Sequence, residues 1–398
     1  MRPLTARPTC GVAGVRAGSG GCSDRTGAIH ALLRGAAALP TVVAMSIPTE
    51  PIGSIPRPRA LLEALAQHAE GRLDAADLTK LQEQATAETL AKLESLGSPV
   101  LVDGEQAKPS FVTYPLAGLA TLAADGAVIP FADGHTRQLP KLTGGPFRYQ
   151  VGASSYLRDA KRHTGLPVKQ AVIAPSALSL LYPADPIAGY SREAFLSDLA
   201  DEAEADIRGC LDAGAHSVQL DFTEGRLSLK LDPSGSVLDD FIALNNSVLD
   251  RFDAEQKARL GVHTCPGGDH DSTHSLDIDY AELLPKLFQL HVGNFYVQLA
   301  SEADPERVLG IIADQLRPGI RVFVGVTDPI DPVVETAEQV RDRVLQAARY
   351  IPVEQLGTTD DCGFAPFADD TSTSRDLAFA KIAARVQGTA LAAAALGL

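Results

Sequence analysis

The stretch Gly261-Val262-His263-Thr264-Cys265-Pro266-Gly267-Gly268 has the pattern of a buried β-strand that runs into a glycine-rich loop. We predict a strand over residues 259–263, so that His263 and Cys265, two positions apart, project toward one point where it ends. A neutral imidazole and a thiolate are both preferred ligands of zinc. Two ligands do not hold an ion, so the sequence predicts that another part of the chain supplies more.

The best candidate for a further ligand is Cys362, in the stretch Asp360-Asp361-Cys362-Gly363. This stretch follows a second predicted strand, over residues 353–357, and glycine stands beside the cysteine. A histidine and a cysteine in isolation are more often ordinary buried core residues than metal ligands. Their position at two strand ends, next to glycines, favours a zinc site that is assembled from separate strands of one sheet.

Short apolar runs alternate with amphipathic helical patterns from residue 47 onward, and this alternation predicts an α/β fold, a (β/α)8 TIM barrel. A doubly wound open sheet is the alternative, but no strand is followed by the Gly-x-Gly-x-x-Gly pattern of that fold. Residues 127–131 and 136–139 alternate around Asp133-Gly134 and predict a hairpin insertion after the second strand. The first predicted strand is represented by a short strand end and turn over residues 49–54. The other predicted strands are 99–103, 168–174, 216–221, 259–263, 293–299, 321–326 and 353–357. The predicted helices are 58–69, 75–96, 191–213, 237–252, 280–288, 304–316, 337–350 and 374–396.

Polar side chains collect where the predicted strands end. Buried barrel strands otherwise favour Val, Ile and Leu, and barrel enzymes carry their active sites at the C-terminal strand ends. The concentration therefore predicts an active site with zinc as its cofactor. The polar residues at these ends are Glu105, Asp221, Glu224, His263, Cys265, Gln298, Asp328 and Cys362.

Composition excludes several other classes of protein. The net charge of -15 argues against nucleic acid as a partner. No apolar run is long enough to predict a membrane span. The five scattered cysteines lack the spacing of a disulfide framework and indicate a reducing, cytoplasmic location. The oligomeric state stays open.

Residues 1–44 differ in composition from residues 45–398, which we predict to form the catalytic barrel. The segment contains five arginines and a single acidic residue, Asp24, and it lacks a helical period. We predict that it is disordered. It is either a targeting peptide, since such peptides are rich in arginine and poor in acids, or the product of a start codon upstream of a true start at Met45.

Several motifs at the predicted strand ends resemble, in the same order, those of the cobalamin-independent methionine synthase family. The resemblance covers residues 47–398 and fits the single-barrel members, because the duplicated N-terminal barrel of the full-length synthase is absent. In chain order the motifs are Thr49-Glu50-Pro51-Ile52-Gly53-Ser54, Asp103-Gly104-Glu105, Val218-Gln219-Leu220-Asp221 with Glu224-Gly225, His263-Thr264-Cys265, and Asp361-Cys362-Gly363.

The resemblance implies a zinc-dependent methyltransferase of methionine biosynthesis, in which a zinc-bound homocysteine thiolate attacks an electrophilic methyl group. It implies that Ile52, Gly53 and Ser54 bind the homocysteine carboxylate. Glu105 and Asp221 would bind its amino group, with Glu224 beside them. The implied zinc ligands are His263, Cys265, Cys362 and Gln298, and the implied catalytic residues are Asp221 and Asp328.

The chain departs from the family pattern at three points. Gln298 stands near the place of the family's glutamate ligand on strand six. Asp328 stands in the turn after strand seven, where the family has a proton-donating histidine. The chain has no Trp, on which the full-length synthase stacks its folate. The methyl or alkyl donor is therefore left open among a folate, a corrinoid and an epoxide, and His270 and His274 are further candidate proton donors.

Three other functions are compatible with parts of the pattern. An epoxyalkane:coenzyme M transferase resembles the same barrel, and Arg57 and Lys108 are candidates to receive its sulfonate. A metal-free enzyme like uroporphyrinogen decarboxylase shares the barrel, but the zinc motifs argue against it. A zinc-stabilised binding module is the non-enzymatic alternative, and the carboxylates at several strand ends disfavour it.

Overall fold

Six parallel strands form a continuous sheet in the computed structural model of the protein, which describes residues 46–398. Each strand pairs with the next strand along the chain, as a barrel requires. The strands are Gln170–Ile173, Val218–Asp221, Leu260–Thr264, Asn294–Val297, Arg321–Gly325 and Leu356–Thr359. We number them as barrel strands three to eight. The predictions made for residues 1–44 fall outside the described residues.

The first two barrel positions are held by single bridging residues. Thr49 bridges in parallel to Thr358 of strand eight, and Leu101 bridges in parallel to Val168 just before strand three. Between these two positions, the Ile55 amide donates to the Gly104 carbonyl at 3.0 Å. The fold is therefore the predicted (β/α)8 barrel, although its first two strands are shorter than expected.

Helices surround the sheet, and all the long helices that the sequence predicts are present with ends shifted by a few residues. They are Arg59–Ala69, Ala75–Ser95, Arg192–Asp212, Ser236–Leu249, Tyr280–Leu287, Pro305–Gln315, Ala337–Ala347 and Arg375–Ala395. Four further α-helices within residues 46–398, none longer than eight residues, were not predicted. They are Ala153–Ala160, Pro175–Ser179, Glu224–Leu231 and Ala254–Ala258. No helix within residues 46–398 is both long and apolar enough to cross a membrane.

The predicted hairpin insertion follows barrel position two. Val128–Pro130 pairs antiparallel with Thr136–Gln138. At the base of the insertion, Leu122–Ala123 pairs with Lys141–Leu142. The Ala132 amide donates to the Thr273 carbonyl at 2.9 Å, which ties the hairpin to the loop after strand five. The insertion therefore reaches the C-terminal strand ends, where the predicted site lies.

A buried polar network fills part of the barrel interior. Tyr296 donates its hydroxyl to Glu50 at 2.7 Å, and the Lys169 ammonium lies 3.6 Å from the same carboxylate. Lys169 also donates to the Gln219 side chain at 2.8 Å. Burial lowers the pKa of Lys169 to about 8, against the raising influence of Glu50. Glu50 thus lies inside the barrel, and it is not among the residues that line the cavities described below.

Candidate metal centre

Three side chains from the ends of strands five and eight meet at one point. The candidate ligand atoms of His263, Cys265 and Cys362 all lie within 4.8 Å of one another. The two sulfur atoms are 2.8 Å apart, too far for a disulfide bond, and both cysteines are free. Strand five brings His263 next to Asp221 on one side and Tyr296 on the other.

The buried imidazole of His263 fits a metal ion. Neither ring nitrogen has a hydrogen-bond partner within residues 46–398, although both are buried. Buried polar atoms are normally satisfied, so such an imidazole indicates a missing partner. A hydrogen bond from Cys265 holds the pKa of Cys362 well below its usual range, which favours a thiolate there. One imidazole and two sulfurs form a donor set that suits zinc.

Gln298 lies at the end of strand six and presents its amide oxygen without a partner. Its Nε2 donates to Ser301 Oγ at 2.8 Å, and Ser301 Oγ donates to Asp361 Oδ2 at 2.7 Å. These two hydrogen bonds fix the orientation of the Gln298 amide group. Its Oε1 is buried and has no hydrogen-bond partner within the described residues. Gln298 and Cys362 line the same small cavity of about 90 Å³.

Asp361 joins the ends of strands six and eight, a role that the sequence did not reveal. Its carboxylate accepts hydrogen bonds from the backbone amides of Leu299 and Ala300 at 2.9 Å and of Ser301 at 2.7 Å. Burial nevertheless raises its pKa to about 7. The loop after strand six is therefore fastened to the residue that precedes Cys362.

A larger cavity of about 400 Å³ opens beside two of the three candidate ligands, His263 and Cys362. Many of the predicted site residues line it, namely Ile52, Gly53, Ser54, Glu105, Asp221, Glu224, His263 and Cys362. Its remaining wall is largely apolar and was not predicted. This wall includes Phe111, Ile129, Phe131, Leu139, Leu180 and Leu227. The sequence contains one indication of this wall, the alternation of apolar and polar residues in the hairpin, because Ile129 and Phe131 are two positions apart and lie on one face of it.

The two predicted ammonium-binding carboxylates are both buried and partly engaged. Lys108 donates to Glu105 at 2.9 Å and to the Ala171 carbonyl at 3.0 Å. Glu105 adopts a left-handed backbone conformation with φ of 56°, which is strained for a residue with a side chain. Asp221 accepts from Gln219 Nε2 at 2.8 Å, and burial raises its pKa.

The turn over residues 52–54 lines the cavity and contains backbone amides without a hydrogen-bond partner in the described part of the chain. Neither the Gly53 nor the Ser54 amide donates to another atom of residues 46–398. The Ser54 hydroxyl accepts from the Ala365 amide at 3.2 Å. A Cβ atom at Gly363 would collide with that hydroxyl, so only glycine allows this close approach.

The other predicted candidates differ in where they lie and in whether their side chains are free. Asp328 lines the smaller cavity with Gln298 and Cys362. His274 lines the larger cavity, and burial lowers its pKa to about 4. His270 lies at the surface beside Asp370. Arg57 donates to the carbonyls of residues 105, 108, 365 and 367, so its guanidinium is occupied by backbone.

Comparison with known proteins gives consistent matches. Residues 47–385 match the family model described as "Cobalamin-independent synthase, Catalytic domain". A 5-methyltetrahydropteroyltriglutamate–homocysteine methyltransferase of Trichodesmium erythraeum is 24% identical over 322 residues, which cover 80% of this chain but only 41% of that protein. A methionine synthase of Saccharolobus solfataricus is 23% identical, with 86% of this chain and 94% of that protein covered.

The same fold occurs in a solved structure. The B12-independent methionine synthase from Shewanella sp. W3-18-1, in complex with selenomethionine, superposes with a TM-score of 0.71 at 22% identity. The match covers 88% of this chain and 99% of that chain. This similarity supports the barrel fold.

Proposed function

The chain belongs to the family of cobalamin-independent synthase catalytic domains, and on this premise we propose that it is a zinc-dependent methyltransferase that methylates the thiol of homocysteine. The observation that carries the proposal is the unpartnered His263 imidazole, which meets Cys265 and Cys362 at the edge of a large cavity. Residues 45–398 would form the catalytic domain. The two cysteines must stay reduced to hold a metal, which supports a cytoplasmic location.

His263, Cys265, Cys362 and the amide oxygen of Gln298 would hold the zinc ion. Bound zinc would supply the positive charge that keeps a substrate thiol ionised near neutral pH. The hydrogen bonds from Gln298 Nε2 to Ser301 and from Ser301 to Asp361 would hold the Gln298 oxygen toward the ion, as outer partners of metal ligands commonly do.

The cavity residues would fix the rest of the substrate. The free amides of Gly53 and Ser54, on the turn that begins with Ile52, would receive the homocysteine carboxylate. Asp221 and Glu105 would accept hydrogen bonds from its ammonium group. The apolar wall would exclude water from the sulfur and the methyl donor, and Asp328 could take part only from the smaller cavity behind Cys362.

The coenzyme M alternative has less support. It needs a cation that is free to receive a sulfonate. Arg57 is bound to four carbonyls, and Lys108 is bound to Glu105 and to a carbonyl. Homocysteine offers an ammonium group, and buried carboxylates at the cavity are its natural partners.

A thiol-binding experiment tests the proposal. We expect the zinc-loaded protein to bind homocysteine more tightly than 4-mercaptobutanoate, the same thiol without the amino group. Hydrogen bonds to charged groups contribute about 1.5–3 kcal/mol, so the preference should be roughly tenfold to a hundredfold. Asp221→Asn should reduce this preference without removing the metal. Titration calorimetry would measure both ligands, and tighter binding of coenzyme M than of homocysteine would contradict the proposal.

Gln298→Glu tests the fourth ligand. A carboxylate is a better zinc ligand than a neutral amide, so the variant should bind zinc at least about tenfold more tightly, which corresponds to about 1.4 kcal/mol. Competition with a chromophoric chelator would measure the affinity. Gln289→Glu, at an exposed position, is the control for added charge. Equal affinity in wild type and Gln298→Glu would remove Gln298 from the ligand set.

A further inference from the structure

Glu224 lines the larger cavity, and only one of its two carboxyl oxygen atoms takes part in a hydrogen bond within the described residues. Its side chain is buried, and Oε2 has no hydrogen-bond partner within residues 46–398. The other oxygen, Oε1, accepts a hydrogen bond from Ser176 Oγ. The short helix that begins at Glu224 follows strand four, so Glu224 is close in sequence to Asp221, and both residues line the same cavity.

Hydrogen bonds around Ser176 determine which oxygen of Glu224 can carry a proton. Asn245 accepts from the Ser176 amide at 3.1 Å through Oδ1, and its Nδ2 donates to Ser176 Oγ at 2.8 Å. The serine hydroxyl has a single proton, which it donates to Glu224 Oε1. A protonated Glu224 must therefore carry its own proton on Oε2, the unpartnered oxygen.

The environment favours the protonated acid. Burial raises the pKa of Glu224 to about 8, against the lowering effect of the hydrogen bond from Ser176. Asp221 is the charged neighbour that raises the pKa further, while Ser176 and Asn245 are neutral. The cations of its own helix are engaged elsewhere, Arg226 with Glu302 at 2.8 Å and Lys230 with Asp277 at 3.0 Å.

Other titratable groups of the cavity are less suited to give up a proton. Glu105 is paired with Lys108, and Asp221 accepts from Gln219. His274 has a pKa of about 4 and is neutral at physiological pH. Asp328, which stands in the turn where the resemblance implies a proton donor, lines the smaller cavity.

We propose that Glu224 is the general acid that protonates the departing methyl donor, with Ser176 and Asn245 as the residues that position it. This inference rests on the proposed function. The substrate thiolate forms a bond to the methyl carbon while the bond from that carbon to N5 of a methyltetrahydropteroyl donor breaks. The electron pair of the broken bond stays on N5 and takes the Oε2 proton. Glu224 becomes a carboxylate and regains a proton from solvent. A neutral Glu224 does not pair with the substrate ammonium, so this role differs from the one that the sequence suggested.

Two methyl donors separate this role from a structural one. 5-Methyltetrahydropteroyltriglutamate requires protonation as it leaves, whereas methyl iodide releases iodide, which requires none. General acids contribute about 10²–10⁴-fold to rate. In Glu224→Gln, which keeps the acceptor for Ser176, the ratio of the pterin rate to the methyl iodide rate should fall by at least about a hundredfold. The wild-type pterin rate should decline as pH rises through about 8, and this decline should be absent in the variant.

The two methyl donors distinguish failure of this inference from failure of the proposed function. Equal losses with both donors would show a structural role and overturn the inference. A wild type that uses methyl iodide but not the pterin would also overturn it, yet would leave thiol activation intact. A wild type that uses neither would contradict the proposed function. In every case, infrared difference spectra of wild type against Glu224→Gln at pH 7 test the protonation directly. A carboxylic acid band from Glu224 supports the inference, and its absence overturns it.

Discussion

Cys362→Ala is expected to leave the protein without stoichiometric zinc, and Cys265→Ala should have the same effect. Wild-type protein, purified under reducing conditions without chelators, should carry about one zinc ion per chain. Even an outer-shell partner contributes about 10–100-fold to metal affinity, so loss of a thiolate ligand should cost more than that. Metal analysis after dialysis against a weak chelator would measure the content. Methyl transfer to homocysteine should be lost in parallel.

The chain supplies a matched control in Cys210. This cysteine is also free and buried, but it lies in the helix Arg192–Asp212 and packs in the hydrophobic core. Cys210→Ala should keep the zinc content of the wild type. Zinc retained in Cys362→Ala, or lost equally in Cys210→Ala, would contradict a centre at the ends of strands five and eight.

The order of strands and helices, and the meeting of His263, Cys265 and Cys362 at strand ends, were readable from the sequence because each depends on local features. Strand periodicity placed His263, Cys265 and Cys362 at strand ends, and barrel geometry brings such ends together. The position of strand eight was less accurate. Residues 353–357 were predicted, but the Gln355 amide donates to the Pro352 carbonyl at 2.8 Å in a turn, and the strand is Leu356–Thr359.

Prolines explain why the first two barrel strands are short. Pro48 and Pro51 flank the bridging residue Thr49, and Pro99 precedes Leu101. Proline has no amide hydrogen to give to a strand ladder, so pairing cannot extend through it. The prolines are visible in the sequence, but the apolar runs beside them predict longer strands than the structure has.

Contacts between distant segments were beyond prediction from one sequence. The hairpin pattern predicted its strand pairs and placed Ile129 and Phe131 on one face, but it did not show which part of the barrel that face would cover. The helix Glu224–Leu231 was missed because it is short and its leucines at 227, 229 and 231 alternate with the period of a strand. The Ser176–Glu224 contact and the Asp361 bonds to residues 299–301 depend on tertiary packing.

Arg385→Met is expected to lower the free energy of unfolding by about 3–5 kcal/mol, a large part of the 5–15 kcal/mol typical of folded proteins. Arg385 is fully buried, and its Nε lies 3.0 Å from Asp360 Oδ1. It also donates to the Thr49 hydroxyl and so joins the last helix to the first and last barrel positions. The variant would leave the Asp360 carboxylate buried without its cation. Urea unfolding at fixed zinc concentration would measure the loss.

The double variant Asp360→Leu with Arg385→Met separates an unpaired charge from a loss of packing. Breaking a buried pair is costly because one charge remains, whereas replacing both partners by apolar groups is often nearly neutral. The double variant should therefore be more stable than Arg385→Met alone, a non-additivity that a double-mutant cycle measures directly. Arg59→Met is the surface control, since its Glu63 pair is largely exposed and should contribute under about 1 kcal/mol. If the double variant were as unstable as the sum of the single variants, packing by Arg385, and not its charge, would hold the Asp360-Asp361-Cys362 segment in place.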